Sequence, residues 1–248
     1  MTDMTVRETA VAAKGPIGSL GGAWMTSDAE EQATVEAGME GWQLYFLARH
    51  GVLGDVDADV VLASAYVFPA DHLRREWEAA RRVMTPDTAV GRYLDLLHDW
   101  GAQHLDGFDA AARLAELGQR VVDASDVVAL PLFAGWRALP VPASQPERCA
   151  HVCQVLREHR GACHGVALAA LGMAPLTAIL TNSGGEANAL DYGWEPPFPE
   201  PTDADRELRV RVEELTDDLV ASAYEVLDEA ERAELVHLLS AASAHAFG

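Results

Sequence analysis

Six Cys and His side chains fall within sixteen positions, at Cys149, His151, Cys153, His159, Cys163 and His164. That density raises zinc first. A structural zinc site closes four ligands and usually pairs them across a turn, as in C-x2-C. Neither that pair nor an H-E-x-x-H is present. At about 3.6 residues per turn, Cys149, Cys153, Arg160 and His164 share one helical face, while His151 and His159 point elsewhere. The pattern therefore assigns no metal ligands, and the cysteines read as buried free thiols on an apolar face.

The same segment places Arg157, Arg160 and His164 in one sector of a helix. Inward-facing guanidiniums are costly unless paired. Two readings stay open. The arginines grip a carboxylate or polar ligand in a bidentate fork, or they pair with Asp and Glu from neighbouring helices. His164 is the candidate general acid or base, since imidazole titrates nearest neutrality.

Three further stretches could meet this helix. Trp42, Tyr45 and Phe46 form an aromatic stripe leading to Arg49 and the turn His50–Asp55. Arg49 reads either as a helix-terminal cation favoured by the dipole or as part of a pocket rim. Pro131 and Pro140 bracket an aromatic segment with Trp136 and one cation, Arg137, which either salt-bridges at a packed corner or holds an anionic group. Asn182–Asn188 is a Gly-rich loop whose backbone N–H groups could face an anion, with Asn188 orienting a polar group. It follows no strand and lacks a P-loop lysine, so it is no nucleotide fingerprint. No nucleophile elbow, kinase signature or carboxylate pair appears. Catalysis stays open and no cofactor is specified.

The elements that must position these residues read as helices throughout. Ser27–Glu30 is a capping-box pattern, and Thr85–Pro86 is an N-cap followed by proline. Helices are expected over 27–38, 39–50, 57–67, 69–84, 86 to beyond Trp100, 109–124, 144–171, 175–180, 203–223 and 228–245, with a short one holding Leu132, Phe133 and Trp136. Residues 182–205 read as the largest irregular segment. The Gly- and Ala-rich start has weak periodicity, so residues 1–20 are expected to be a flexible tail. A helical domain over 21–143 then packs on a helical domain over 144–248.

The 248 residues carry a net charge of −21, and Lys14 is the sole lysine. Nucleic-acid binding depends on Lys and Arg displacing counterions, so this balance argues against a nucleic-acid partner and against anionic membranes. No apolar run approaches the ~18 residues of a membrane span, and the start lacks a signal-peptide pattern. Three cysteines make no disulfide framework. A cytoplasmic protein is expected. Residues 195–248 hold 14 acids and four arginines, either a solvated face or one that meets a basic partner.

Gly41–Trp42–Gln43–Leu44–Tyr45–Phe46–Leu47–Ala48–Arg49, Phe133–Pro140 and Leu156–His164, in this order, resemble the SalK-like helix-turn-helix family, from about Gly21 to Leu239. The resemblance implies a mainly α fold, with a helical N-terminal half and a winged-helix-like C-terminal half. It also implies an association with secondary metabolism, and it marks the matching arginines and His164 as pocket candidates. A winged helix needs a basic or polar recognition helix and a two-stranded wing. After Gly193–Trp194 this chain instead has four prolines in eleven residues and no Lys or Arg before Arg206. Proline at that density cannot form a helix. The expected protein is thus a degenerate winged helix whose interior pocket binds a small molecule or performs catalysis, lined by Trp42, Tyr45, Arg49, Arg137, Arg157, Arg160, His164 and Asn188. The alternative is a regulator or scaffold that acts through protein contact by its acidic helices. The terminal amphipathic helices make a homodimer plausible.

Overall fold

Local capping chemistry sets the starts of five helices. In a computed structural model, which describes residues 4–248, the ranges are α1 Val6–Gly22, α2 Asp28–Glu36, α3 Gln43–His50, α4 Ala58–Leu62, α5 Ala70–Arg81, α6 Pro86–His104 and α7 Ala111–Ala124. They continue with α8 Pro131–Arg137, α9 Gln145–Leu171, α10 Pro175–Leu180, α11 Gly185–Asp191, α12 Asp203–Ala221 and α13 Glu229–Phe247. The described residues contain no strand. Thr85, Thr202 and Asp228 each accept a hydrogen bond from a first-turn N–H, which satisfies a donor the helix leaves free. Ser27 caps α2 in the same way, but the reciprocal half of its expected capping box is absent. Glu30 instead accepts from the Thr34 hydroxyl at 3.2 Å.

Helix α9 is the axis of the molecule. Between Cys149 and His159 nearly every position is buried, so this half of the helix is enclosed on all sides. Helices α1, α6, α7, α8 and α12 pack directly on it. Helix α3 lies between α5 and α6, and α13 covers α1 and α7. One hydrophobic core runs through residues on both sides of position 144, from Leu20 and Trp24 through Phe133 and Val152 to Leu239. Tryptophan N–H groups tie elements together. Trp136 donates to the Arg49 carbonyl at 3.0 Å, Trp42 to that of Asp191 at 2.8 Å, and Trp194 to that of Val67 at 3.0 Å.

Two expectations change. The start is not a flexible tail where it is described. Thr5 and Glu8 form a full capping box, and α1 buries Thr9, Ala10, Ala13, Ile17, Leu20 and Gly21. Those side chains are mostly small, so the helix carries little hydrophobic signal yet packs closely on α9, α12 and α13. Residues 1–3 of the expected tail lie outside the described residues. The segment 182–205 is also not wholly irregular, because Gly185–Asp191 forms α11. It pairs with α10 across the turn 181–184. The two share a small core of Ile179, Leu180 and Ala189, capped by Trp194 and Phe198. The helix expected over 57–67 stops at Leu62, leaving 63–69 as a turn that matters below.

Close helix approach sets a clear test. A Cβ on Gly118 of α7 would sit 2.5 Å from Val152 Cγ1 on α9, whereas one on Gly91 of α6 meets nothing within 4 Å. Gly118→Ala is expected to lower stability by about 1–3 kcal/mol through overpacking. Gly91→Ala is expected to raise it by about 0.5–1 kcal/mol through helix propensity and a less entropic unfolded chain. Urea denaturation midpoints of the two variants should move in opposite directions.

Candidate ligand-binding site

The most enclosed ion pair in the molecule joins α3 to α9. Arg49 donates from Nε and Nη2 to the two oxygens of Glu158, at 2.9 and 2.8 Å, and from Nη1 to the Tyr45 hydroxyl at 2.8 Å. The Glu158 side chain has no exposed surface. Burial opposes its charge, but Arg49 at bidentate range and Arg157 hold its carboxyl down at about 2. Burial likewise opposes the Arg49 charge, and Glu158 more than offsets it, so the guanidinium stays firmly protonated. Gln154 and Arg157 also donate to Glu158 Oε1, at 2.8 and 3.0 Å. One carboxylate therefore serves two guanidiniums.

Directly beside this pair lies a cavity of about 320 Å³. Helix α1 contributes Lys14, Gly18 and Gly22, which recur every four residues on one face. Helix α3 and its N-cap contribute Trp42, Tyr45 and Arg49, α9 contributes Arg157 and Arg160, and the turn after α4 contributes Tyr66 and Phe68. Tyr192, at the end of α11, closes the aromatic side. Trp42 meets Tyr45, Phe68 and Tyr192 edge-on at centroid distances of 4.9, 5.5 and 5.8 Å, so the wall is a packed aromatic cluster.

The charge of the lining is one-sided. Lys14, Arg49, Arg157 and Arg160 line the cavity, and no Asp or Glu does. Their counter-charges sit behind the wall. Arg160 donates from Nη2 to Glu213 at 2.8 Å and to Asp217 at 3.1 Å, and Lys14 to Asp217 at 3.4 Å. Arg209 draws on Glu213 as well, at 2.8 Å. Five cations thus share the three carboxylates Glu158, Glu213 and Asp217. The Nε of Arg160 is buried without a hydrogen-bond partner. An anion entering the cavity would meet unspent N–H donors and an excess of positive charge.

Five of the sequence candidates therefore converge: Trp42, Tyr45, Arg49, Arg157 and Arg160. Three do not line the cavity. Arg137 donates to the backbone carbonyls of Ser125 and Asp123, at 2.8 and 3.0 Å, and so caps the end of α7. His164 is packed against α12. Thr216 donates its hydroxyl proton to the Val212 carbonyl at 2.7 Å, so His164 Nδ1, 3.0 Å away, must be the donor to Thr216. The Arg209 guanidinium lies 3.4 Å from Nε2. Burial lowers its pKa to about 4, so the imidazole is neutral near pH 7. Asn188 donates to Asn182 Oδ1 at 3.3 Å and stays within its own turn. Helical periodicity could not find Tyr66 and Tyr192, which come from turns. Lys14 had one signal, its spacing with Gly18 and Gly22. The cysteines are free and buried, and the described residues hold no cluster of three or more His, Cys, Asp and Glu able to take a metal.

A family model described as a helix-turn-helix family matches residues 10–248. The chain belongs to this helix-turn-helix family. No curated protein and no solved structure matches it. Within the family protein, α10 and α11 are two short helices joined by a four-residue turn. From Gly172 to Asp205 that region carries no Lys or Arg, and its charged side chains are all acidic. No helix is long and apolar enough to cross a membrane.

Two outcomes can be measured. Removing the Glu158 charge strands two guanidiniums, so Glu158→Ala is expected to cost about 3–5 kcal/mol of unfolding free energy. The second concerns pH. Burial pushes His50 down to about 3, and His151, His159 and His164 to about 4, from an ordinary 6.5. Below 6.5 the unfolded chain binds protons that these native imidazoles refuse. Their stability contribution is complete above 6.5 and is lost as pH falls toward 4. Glu30, which burial raises to about 7, works in the opposite direction, but it is one group against four. Urea titrations at neutral pH and near pH 5 should differ by on the order of 5 kcal/mol, with the acidic sample weaker.

Proposed function

We propose that this helix-turn-helix family protein binds a small organic anion in the cavity between α1, α3 and α9, and that it is of the SalK-like kind associated with secondary metabolism. One observation carries the reading. In a chain of net charge −21, four of the 18 Lys and Arg residues, including the sole lysine, line one cavity that no carboxylate lines. Excess carboxylates elsewhere explain solubility; they do not explain this segregation. Cavities walled by low-dielectric protein focus such a potential inward. The aromatic wall offers the apolar contact that fixes an organic body, while the guanidinium forks hold its charged group.

Binding is favoured over catalysis. The ionisable groups in the lining are cations and tyrosines, and burial pushes the Tyr66 hydroxyl above its ordinary value. His164, the best acid–base by type, lies outside the lining. DNA binding is disfavoured by the α10–α11 region, which offers a polyanion only acidic side chains.

Isothermal titration with benzoate tests the reading. Binding is expected, and Arg157→Ala should weaken it at least tenfold, on the order of the 1.4 kcal/mol or more of a charged hydrogen bond. Arg211→Ala, on the exposed face of α12, should leave it unchanged. Equal binding by parent and Arg157→Ala, or none by the parent, defeats the proposal. In a gel shift at low salt, DNA should remain unretarded; a shifted band would restore a DNA-binding reading.

A further inference from the structure

Behind the cation-lined cavity is a second, apolar space of about 220 Å³. Its floor is the second half of α9, where Ala162, Gly165, Val166 and Ala169 present small or aliphatic side chains. Opposite stand Ala63 and, at the start of α8, Pro131 and Leu132. The two spaces have a common wall. Arg49, Ser64, Tyr66 and Gly161 line both. The polar atoms of this wall are largely spent on the protein. The Ser64 hydroxyl donates to the Val61 carbonyl at 2.9 Å, and Arg49 is committed to Glu158 and Tyr45.

Tyr66 forms the partition. Its hydroxyl donates to the Gly161 carbonyl on α9. Its ring lies on Gly165 so closely that a Cβ there would collide with Tyr66 Cε1. The residue sits in the turn between α4 and α5, outside any helix, so its placement is not tied to a helix register. Ala129, on the far rim of the apolar space, has φ of 62°, and no other non-glycine residue among those described has positive φ. A left-handed alanine is strained, and the turn around it is closed by the Leu130 N–H donating to the Val127 carbonyl at 3.0 Å.

We infer that the ligand is an amphipathic carboxylate. Its head meets Arg157 and Arg160 in the cationic cavity, and its unbranched apolar tail passes Tyr66 into the space between α9 and α8. This rests on the anion-binding reading above and adds the shape and chemistry of the rest of the molecule. A polar or doubly charged ligand would leave the apolar space unused. A simple hydrocarbon would leave the guanidinium donors unspent. A single-headed, single-tailed anion satisfies both.

The test is calorimetric titration with straight-chain carboxylates from butyrate to decanoate, on the full chain and on Ala162→Phe, which fills the apolar space without touching the cation-lined cavity. Each methylene that enters the space should tighten binding about threefold to fourfold, from the transfer free energy of a buried CH2. The gain should stop once the space is full. Ala162→Phe should flatten the series while leaving butyrate and benzoate binding intact. Should that variant fail to fold by circular dichroism, Ala169→Leu reads the same space. Tyr66→Ala removes the partition and should keep the length dependence. If no carboxylate of any length binds, the anion-binding reading itself falls. If benzoate binds but affinity is flat with chain length, that reading stands and the tail inference is overturned. Length dependence that survives both filling variants also overturns it, because the tail then lies elsewhere.

Discussion

A carboxylate with no exposed surface, Glu158, sits in the middle of the central helix and must be neutralised where it stands. A buried charge without a partner is among the costliest features a core can contain. Arg49 supplies the bidentate partner and thereby fixes α3 against α9. Trp136 holds the Arg49 carbonyl and ties in α8. Tyr45 receives the third guanidinium donor, which aligns the aromatic wall with the same point. A buried ion pair of this kind is not a strong source of stability, because desolvation offsets much of the attraction. What it provides here is position. It also leaves Arg157 over-supplied, a second guanidinium on an already satisfied carboxylate. That surplus faces the cavity.

The same logic repeats one turn further along α9. Glu213 and Asp217 of α12 are shared by Arg160, Arg209 and Lys14, and again the carboxylates lie behind while Arg160 and Lys14 line the cavity. A strongly acidic protein thus has a local interior of opposite sign. Such an arrangement has no value as a general stability device, since surface carboxylates could have paired these cations anywhere. It is the feature on which the proposed anion binding rests, because focused potential and unspent donors coincide there.

Membership of a helix-turn-helix family describes the scaffold and leaves the activity to the site. Helices α10 and α11 are two short helices with a small core of their own. From Gly172 to Asp205 the charged side chains of the chain are all acidic, while Arg209 of α12 reaches the Ala178 carbonyl of α10 at 3.4 Å. Nearby, Trp194 pins the Val67 carbonyl and Trp42 pins that of Asp191, so this region now braces the turn and the aromatic wall of the cavity.

The sequence by itself determined the helices whose signals are local. A cap and its N–H partner are three residues apart, and an apolar stripe repeats every turn, so α3, α6, α7, α9, α12 and α13 were legible from spacing alone. The mainly α class and the acidic character followed from the same reading. Helix α1 escaped because its buried face is mostly Ala, Gly and Thr, with only Ile17 and Leu20 as larger apolar side chains, so it packs tightly but carries little hydrophobic contrast. Of the candidate site, Trp42, Tyr45, Arg49, Arg157 and Arg160 were visible as residues that had to point inward, and they do meet. Periodicity names the face of a helix, however, and not the neighbour across from it. Only tertiary packing decided that α12 covers His164, that Arg137 ends α7, and that Tyr66 from a turn divides two cavities. Those outcomes depend on contacts between residues 12 to 95 positions apart. Close packing and the pairing of buried charge settle them, and neither leaves a mark in local spacing.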